Sequence, residues 1–290
     1  MLQQVRGNPK RHQAGSKNMG NPSYLFRTLS RWAILTVLLT GGLFLAAGTT
    51  RLIMLRAYVA VFSVMLLVTM LAVDPGLARE RARPSSGWKD SRARFASGFL
   101  FLVTVGFAAL DVGRLHQSDS VPTGLSIAAL VLFAGALGFQ AWAMIVNPFF
   151  SPELRIQSER GHHVITAGPY RWLRHPGYLA MMVAVPASAL AIGSWLALIP
   201  AAGFCLVIVR RARSEDEYLR RNLPKYDEYM ETISGGLFPP LPAFRDYTST
   251  ASANPSNCPR ALARLTRTSR PPWDRLWQRA GRGCSTLDLP

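Results

Sequence analysis

Residues 177–209 form one apolar run, GYLAMMVAVPASALAIGSWLALIPAAGFCLVIV, and this run decides the class of fold. It contains no charged side chain, and it is longer than the roughly 20 residues that one crossing of a bilayer needs. Gly193 and Ser194 stand in its middle and predict a turn. We therefore expect two short helices, 177–192 and 195–210, packed as a hairpin. Sixteen residues rise about 24 Å, which barely spans the hydrocarbon core.

Four further apolar segments precede this hairpin. They cover about 32–48, 52–73, 96–115 and 123–146, and they carry almost no charge. Each has the length of a membrane-spanning helix. A charged, amphipathic helix is predicted after the hairpin, over 211–233, with an interruption near Pro224. The sequence thus predicts an all-α integral membrane protein with about six transmembrane helices, the last two forming the hairpin, plus a cytosolic amphipathic helix.

The basic residues are distributed unevenly over the predicted connections. The chain has 290 residues, 33 Lys and Arg against 16 Asp and Glu, and a formal charge of +17. Six spans put the basic segments on one side, namely 1–31, 74–95, 147–176 and the chain after 210. The opposite connections, 49–51, 116–121 and 193–194, contain one basic residue, Arg51. This asymmetry predicts that both termini and the 147–176 loop are cytosolic, facing anionic membrane lipid rather than nucleic acid.

Composition divides the chain into four predicted parts. These are a basic cytosolic arm (1–31), four transmembrane helices (32–146), a catalytic region with the hairpin (147–243) and a disordered tail rich in Arg, Ser and Pro (244–290). The cysteines, Cys205, Cys258 and Cys284, are too widely spaced to predict a disulfide framework or a C-x-x-C metal pair. We predict no metal site, because adjacent histidines rarely bind one ion and no carboxylate spacing supports them.

Two polar segments flank the hairpin at the same membrane face. The first, 162–178, reads HHVITAGPYRWLRHPGY and holds three His, two Arg and two Tyr. The second begins at Arg211 with RARSEDE and continues to Tyr226 and Tyr229. Pro176 predicts the start of a helix, and the N-terminal end of a helix favours an anion. The adjacent acids Glu215 and Asp216 instead favour a cation. Together they suit a zwitterionic, positively charged ligand with an amino acid end. A basic aromatic belt followed by a solvated helix is the alternative interpretation.

The combined pattern resembles a known family. G-P-Y-x-x-x-R-H-P-x-Y follows V-I-T, and after the hairpin come R-x-x-x-E-[ED]-x-x-L and Y-x-x-Y. Over about 147–240 this is similar to the isoprenylcysteine carboxyl methyltransferase family, a group related to bacterial membrane methyltransferases and phospholipid methyltransferases. The resemblance implies that S-adenosylmethionine binds between the two segments and that a lipophilic acceptor enters from the bilayer.

The resemblance also implies roles for individual residues. The cofactor-binding candidates are Tyr170, His175, Pro176, Tyr178, Glu215 and Asp216, with Asp216 standing where a second Glu is commoner. The catalytic candidates are Arg174, Arg211 and His162. Arg211 would orient a carboxylate acceptor, whereas an amine or thiol acceptor would need a base such as His162.

The implied activity is an S-adenosylmethionine-dependent methyl transfer, preferably to a carboxyl oxygen of a lipophilic or prenylated acceptor. Membrane sterol and double-bond reductases carry a similar R-H-P-x-Y stretch and use NADPH, so they form one alternative. The acidic pair at 215–216 disfavours a dinucleotide phosphate there. A non-catalytic membrane protein of the same fold is the other alternative.

Overall fold

A computed structural model describes residues 22–81, 88–233 and 235–238. Within these ranges the regular elements are helices, and no strand occurs. The α-helices are α1 (Pro22–Ala47), α2 (Ile53–Ala72), α3 (Pro75–Arg81), α4 (Trp88–Leu110), α5 (Thr123–Val146), α6 (Pro176–Ile192), α7 (Leu198–Asn222) and α8 (Tyr226–Thr232). A π-helical turn, Asp111–Leu115, continues α4, and 3-10 turns occupy Ser158–Arg160 and Gly168–Arg171. The predicted all-α class is confirmed.

Four of the described segments are long and apolar enough to cross a membrane. They are Pro22–Ala47, Ile53–Ala72, Ser91–Leu115 and Thr123–Val146, and Pro176–Ile192 is a shorter apolar helix. Large apolar side chains on α1 and α2 point outward, for example Leu45 and Ile53, which are 76% and 72% exposed. Such surfaces fit contact with lipid, as expected for a multi-pass membrane protein.

The helix boundaries in the N-terminal half of the chain differ from the predicted boundaries. Residues 22–31, which were predicted as part of the arm, belong to the helix Pro22–Ala47. The predicted loop 74–95 contains α3 and the beginning of α4. Asp74 caps α3, since its Oδ1 accepts hydrogen bonds from the amides of Gly76 (2.7 Å) and Leu77 (3.2 Å). Residues 1–21 of the arm and the whole predicted tail, 244–290, lie outside the described residues.

The second helix of the hairpin and the predicted charged helix are one element. α7 runs without a break from Leu198 to Asn222. The change from apolar to charged residues marks where the helix leaves an apolar environment, and it does not end the hydrogen-bonding pattern. The interruption comes near Pro224 as predicted, where Lys225 takes a left-handed φ of 67° before α8.

Small residues allow α6 to pack closely in the core. Ala184, Ala187 and Ala191 of α6 are buried in the same apolar cluster as Tyr58 of α2 and Phe133 of α5. Small side chains let helix backbones approach, which is the usual packing device inside membranes. The Tyr58 hydroxyl also donates a 3.2 Å hydrogen bond to Ser188 Oγ and links α2 to α6.

A buried carboxylate anchors the turn of the hairpin. Asp111, at the end of α4, is fully buried. It accepts hydrogen bonds from the hydroxyls of Ser118 (2.5 Å) and Ser194 (2.6 Å) and from the amides of Gln117 (2.9 Å) and Ser118 (3.2 Å). The Ser118 carbonyl in turn accepts from the Trp195 amide, 3.2 Å away. The turn at Gly193, whose φ is 115°, is thereby fixed to the end of α4.

We expect Asp111→Ala to destabilise the protein by about 2–3 kcal/mol, because it leaves buried hydroxyl and amide donors without an acceptor. Thermal unfolding of the detergent-solubilised full chain measures this as a lower Tm. Asp119→Ala is the matched control. It removes an exposed acid that pairs with His116 in the same connection (2.6 Å), and should cost under about 0.5 kcal/mol. Equal shifts in Tm for the two variants would contradict the anchoring role.

Candidate functional site

A cavity of about 320 Å³ lies at the ends of α6 and α7 that are remote from the hairpin turn. Volumes of about 300–1,000 Å³ are typical of small-molecule sites. Its walls come from α6, α7, α8, the end of α5, the start of α4, the end of α3 and the loop that connects α5 to α6. Predicted site residues that line it are His162, Tyr170, Arg174, His175, Pro176, Tyr178, Arg211 and Glu215.

Tyr178 joins α6 to α7 inside this cavity. Its hydroxyl donates a short hydrogen bond to Glu215 and accepts one from Arg211 Nε at 2.9 Å. Arg211 and Glu215 are four residues apart on α7 and so lie on the same face of the helix. Arg211 also donates through Nη2 to the carbonyl of Pro152. These contacts hold the two predicted α7 side chains against α6 and the connecting loop.

Asp216 lies on a different side of α7 and is not among the lining residues. It accepts hydrogen bonds from His175 Nε2 (2.8 Å) and the Tyr226 hydroxyl (2.7 Å), and it pairs with Arg174 Nη2 at 3.1 Å. Burial opposes its ionisation, but the hydrogen bond and charge of His175, together with Tyr226 and Arg174, outweigh burial and hold the pKa of Asp216 below its ordinary value. Asp216 thus positions His175 and Arg174, two residues of the cavity wall, from behind the wall, on the side away from the cavity.

The start of α6 has the predicted form, and the two amides that precede Pro176 already have hydrogen-bond partners. His175 is the N-cap and Pro176 the first helical residue. The amides of Arg174 and His175 donate to the carbonyls of Gly235 (2.9 Å) and Gly236 (3.2 Å), so they are already engaged. Arg174 Nε, in contrast, is buried and has no hydrogen-bond partner among the described residues. The basic character of this end therefore comes from the Arg174 guanidinium.

Tyr170, Tyr226 and Tyr229 form an aromatic part of the cavity wall. Tyr229 donates a 2.8 Å hydrogen bond to the carbonyl of Tyr170, and its ring lies 5.8 Å from that of Tyr226. Burial raises the pKa of Tyr229 to about 12 and also raises the pKa of Tyr170. These phenols stay neutral at physiological pH and offer uncharged aromatic faces, while the Tyr229 and Tyr226 hydroxyls already donate to the Tyr170 carbonyl and to Asp216.

His162 lines the cavity as a neutral imidazole. Its ring stacks on Phe149 with centroids 4.5 Å apart, and its Nδ1 accepts a hydrogen bond from the Gln157 amide at 3.3 Å. Burial, followed by the positive charges of neighbouring side chains, lowers the pKa of His162 to about 4. Because Nδ1 is the acceptor, the ring proton of the neutral form lies on Nε2. That tautomer is a hydrogen-bond donor at Nε2 and a weak base.

Several lining residues were not predicted. Arg81 of α3 reaches the cavity from a region interpreted as a basic loop, and Arg155 pairs with Glu80 of α3 and with Glu159 (2.7 Å). The Asp-Pro sequence before α3 is a helix-start signal that would have revealed this element. Gln140 of α5 and Asn147, which follows that helix, also line the cavity. Within the ranges described above, no group of three or more His, Cys, Asp or Glu is arranged to hold a metal ion.

Comparison with known proteins identifies the part of the chain that builds this cavity. The chain is 32% identical over 145 residues to the nickel-cobalt-cadmium resistance protein NccN of Alcaligenes xylosoxydans xylosoxydans, which corresponds to 50% of this chain and 64% of that protein. The chain therefore spans just under two thirds of that relative. Residues 127–221, which include every predicted site residue, match the model of the isoprenylcysteine carboxyl methyltransferase family. The resemblance predicted from the sequence is confirmed: residues 127–221, which supply much of the cavity wall, are similar to the isoprenylcysteine carboxyl methyltransferase family.

Proposed function

We propose that this chain is an integral membrane methyltransferase that uses S-adenosylmethionine to methylate a lipophilic acceptor, with a carboxyl oxygen as the favoured target. One observation carries the proposal. Arg174, beside the start of α6, and Glu215, on α7, line the same cavity within the family-matched region. The amino acid end of S-adenosylmethionine needs a cation for its carboxylate and an anion for its ammonium group.

The roles of the wall residues follow from their chemistry. Arg174 and His175 receive the donor's carboxylate, and the buried, unpartnered Arg174 Nε gains an acceptor in this way. Asp216 keeps both side chains in position through its contacts behind the wall. Glu215 takes the ammonium group or a ribose hydroxyl. The rings of Tyr170 and Tyr178 enclose the adenine or the sulfonium, where a cation–π contact contributes.

When bound, S-adenosylmethionine supplies an activated methyl group that leaves its sulfur as an acceptor atom bonds to the methyl carbon. The protein needs no covalent nucleophile for this displacement, and its task is to align the reactants and exclude water. A carboxylate acceptor releases no proton, whereas an amine must lose one. The neutral state and low pKa of His162 make it a poor base, which favours the carboxylate.

The apolar side of the cavity supports a lipophilic acceptor. Met181 of α6 and Ile208 of α7 line it, together with Ser97 and Gly98 of α4. A side chain added at Gly98 would meet no atom within 4 Å, so the space beside α4 is open. An acceptor with a long apolar tail fits this wall, with its polar head toward the arginines.

We expect the purified full chain to bind S-adenosylhomocysteine and not NADPH in isothermal titration. His175→Ala and Glu215→Ala should each weaken this binding by about 1.5–3 kcal/mol, or roughly ten- to a hundredfold, because each loses a charge-assisted contact in a partly desolvated cavity. Glu217→Ala is the matched control. Glu217 is exposed and pairs with Arg221 on the outer side of α7, so its loss should cost under about 0.5 kcal/mol.

The variants are compared only where their thermal unfolding shows that they remain folded. Equal losses for Glu215→Ala and Glu217→Ala, or no loss for His175→Ala, would refute the donor site. Binding of NADPH in place of S-adenosylhomocysteine would support the reductase alternative. Binding of neither ligand would support a non-catalytic membrane protein.

We further propose that both termini and the cavity face the cytosol, because the basic segments fall on that side. Single cysteines at Ser158 and Ser120, two exposed positions, test this in a chain whose native cysteines are replaced. A membrane-impermeant thiol reagent should label position 120 in intact cells and position 158 only after permeabilisation. Labelling of both positions from one side, or the reverse pattern, would contradict this orientation.

A further inference from the structure

Arg81 reaches the cavity from α3, which lies outside the family-matched residues 127–221. Its Nη1 donates a 3.3 Å hydrogen bond to the carbonyl of Phe150, and its guanidinium lies over the Phe150 ring at 5.6 Å. That ring packs on the first turn of α6, since a side chain at Gly177 would stand 2.5 Å from it. The loop thus fixes Arg81 next to the helix start that forms the donor site.

Arg211 is held by the same stretch of loop. Its Nη2 donates to the carbonyl of Pro152, two residues beyond the carbonyl that holds Arg81. Two residues span at most about 7 Å, so the carbonyls that hold the two guanidiniums lie within about 7 Å of each other, and both side chains line the same cavity. Burial, followed by the charge of Arg211, lowers the pKa of Arg81, as expected for two half-buried cations in one cavity. An anion between them would relieve this repulsion.

The other charges of the cavity do not neutralise Arg81. The charged lining residues are Arg81, Arg94, Arg155, Arg174 and Arg211 with Glu153 and Glu215. Arg155 pairs with Glu80 and Glu159, and Arg174 pairs with Asp216. The Tyr178 hydroxyl bridges Arg211 and Glu215, because it accepts a hydrogen bond from Arg211 and donates one to Glu215. In the part of the chain that the structure describes, Arg81 forms no ion pair. S-adenosylmethionine adds one further net positive charge, because it carries a carboxylate, an ammonium and a sulfonium.

We propose that Arg81 and Arg211 form an anion subsite that binds the carboxylate of the acceptor, and that Arg81 determines the preference for this head group. The inference rests on the proposed function and adds a specificity residue from outside the family-matched region. The reaction converts the carboxylate to a neutral ester as the donor's sulfur becomes a neutral thioether. The subsite thus holds the substrate more tightly than the product and favours product release.

The test uses the full chain in nanodiscs of uncharged lipid, saturated with S-adenosylhomocysteine. Three probes share one hexadecyl chain and end in a carboxylate, a carboxamide or an ammonium group, at a pH where the carboxylate is ionised. The wild type should bind the carboxylate at least about tenfold more tightly than the amide, the ratio expected of a charge-assisted contact. Arg81→Gln should reduce this ratio below about threefold, with the affinities for the amide and for S-adenosylhomocysteine unchanged, and Arg81→Lys should keep part of the preference.

Arg213→Gln is the matched control, since it removes an equal charge from an exposed position on α7 and should preserve the preference. An unchanged preference in Arg81→Gln would overturn the subsite while the proposed function stands. No carboxylate preference in the wild type would overturn the subsite and the favoured carboxyl target, whereas the proposed binding of S-adenosylmethionine would stand. If Arg81→Gln also weakens the binding of the carboxamide probe and of S-adenosylhomocysteine, then Arg81 has a structural role, and this result also overturns the subsite. Failure of the wild type to bind S-adenosylhomocysteine would instead refute the proposed function and this inference with it.

Discussion

Hydrogen-bonded carboxylates hold the hairpin of α6 and α7 at each of its two ends, one fully buried (Asp111) and one half-buried (Asp216), and the geometry of the cavity depends on this arrangement. Asp111 binds Ser194 at the turn, and Asp216 binds His175 at the open end. A carboxylate is costly to bury unless hydrogen bonds satisfy it, so each of these residues imposes a specific set of donors. These polar contacts fix the hairpin turn to the end of α4 and the start of α6 to the charged part of α7.

The charged residues behind the cavity wall and those at its surface have different roles. Behind the wall, Glu80 and Asp216 pair with Arg155 and Arg174 and set their positions. At the surface of the cavity, Glu215 and the guanidinium groups are the groups that a ligand meets. The carboxylates behind the wall offset the charges of Arg155 and Arg174, and in the proposed function this allows a cationic donor and an anionic acceptor to share one small, partly desolvated space. Preorganised charges of this kind align reactants without a large reorganisation on binding.

The sequence predicted the membrane helices well, because long apolar runs leave few alternatives in a bilayer. The fourth span was predicted at 123–146, and α5 covers Thr123–Val146. The turn at Gly193 and the helix start at Pro176 follow from local residue chemistry, and both occur. The short helix α3 was missed because it has only seven residues and a basic composition. The continuity of α7 was missed because a change in polarity was interpreted as a change of element.

The site could be predicted only as far as its residues form local patterns. The two segments that flank the hairpin do meet, since the hairpin returns the chain to its starting face. Which of two adjacent acids faces the cavity could not be predicted, because Glu215 and Asp216 differ by about 100° around the helix and the packing of α7 decides between them. Arg81 lies far away in sequence and belongs to no pattern with the family motif, so only tertiary contacts reveal it.

Transfer of a labelled methyl group from S-adenosylmethionine tests the central claim most directly. The full chain in membranes is incubated with total membrane lipid and, separately, with a farnesylcysteine analogue, and the labelled product is treated with base. Our account predicts a label that depends on the chain and is released by base as expected of a methyl ester. A base-stable label would indicate N- or S-methylation and contradict the carboxylate acceptor. The absence of transfer to either acceptor pool, from a chain shown to be folded, would contradict the assignment of methyltransferase activity.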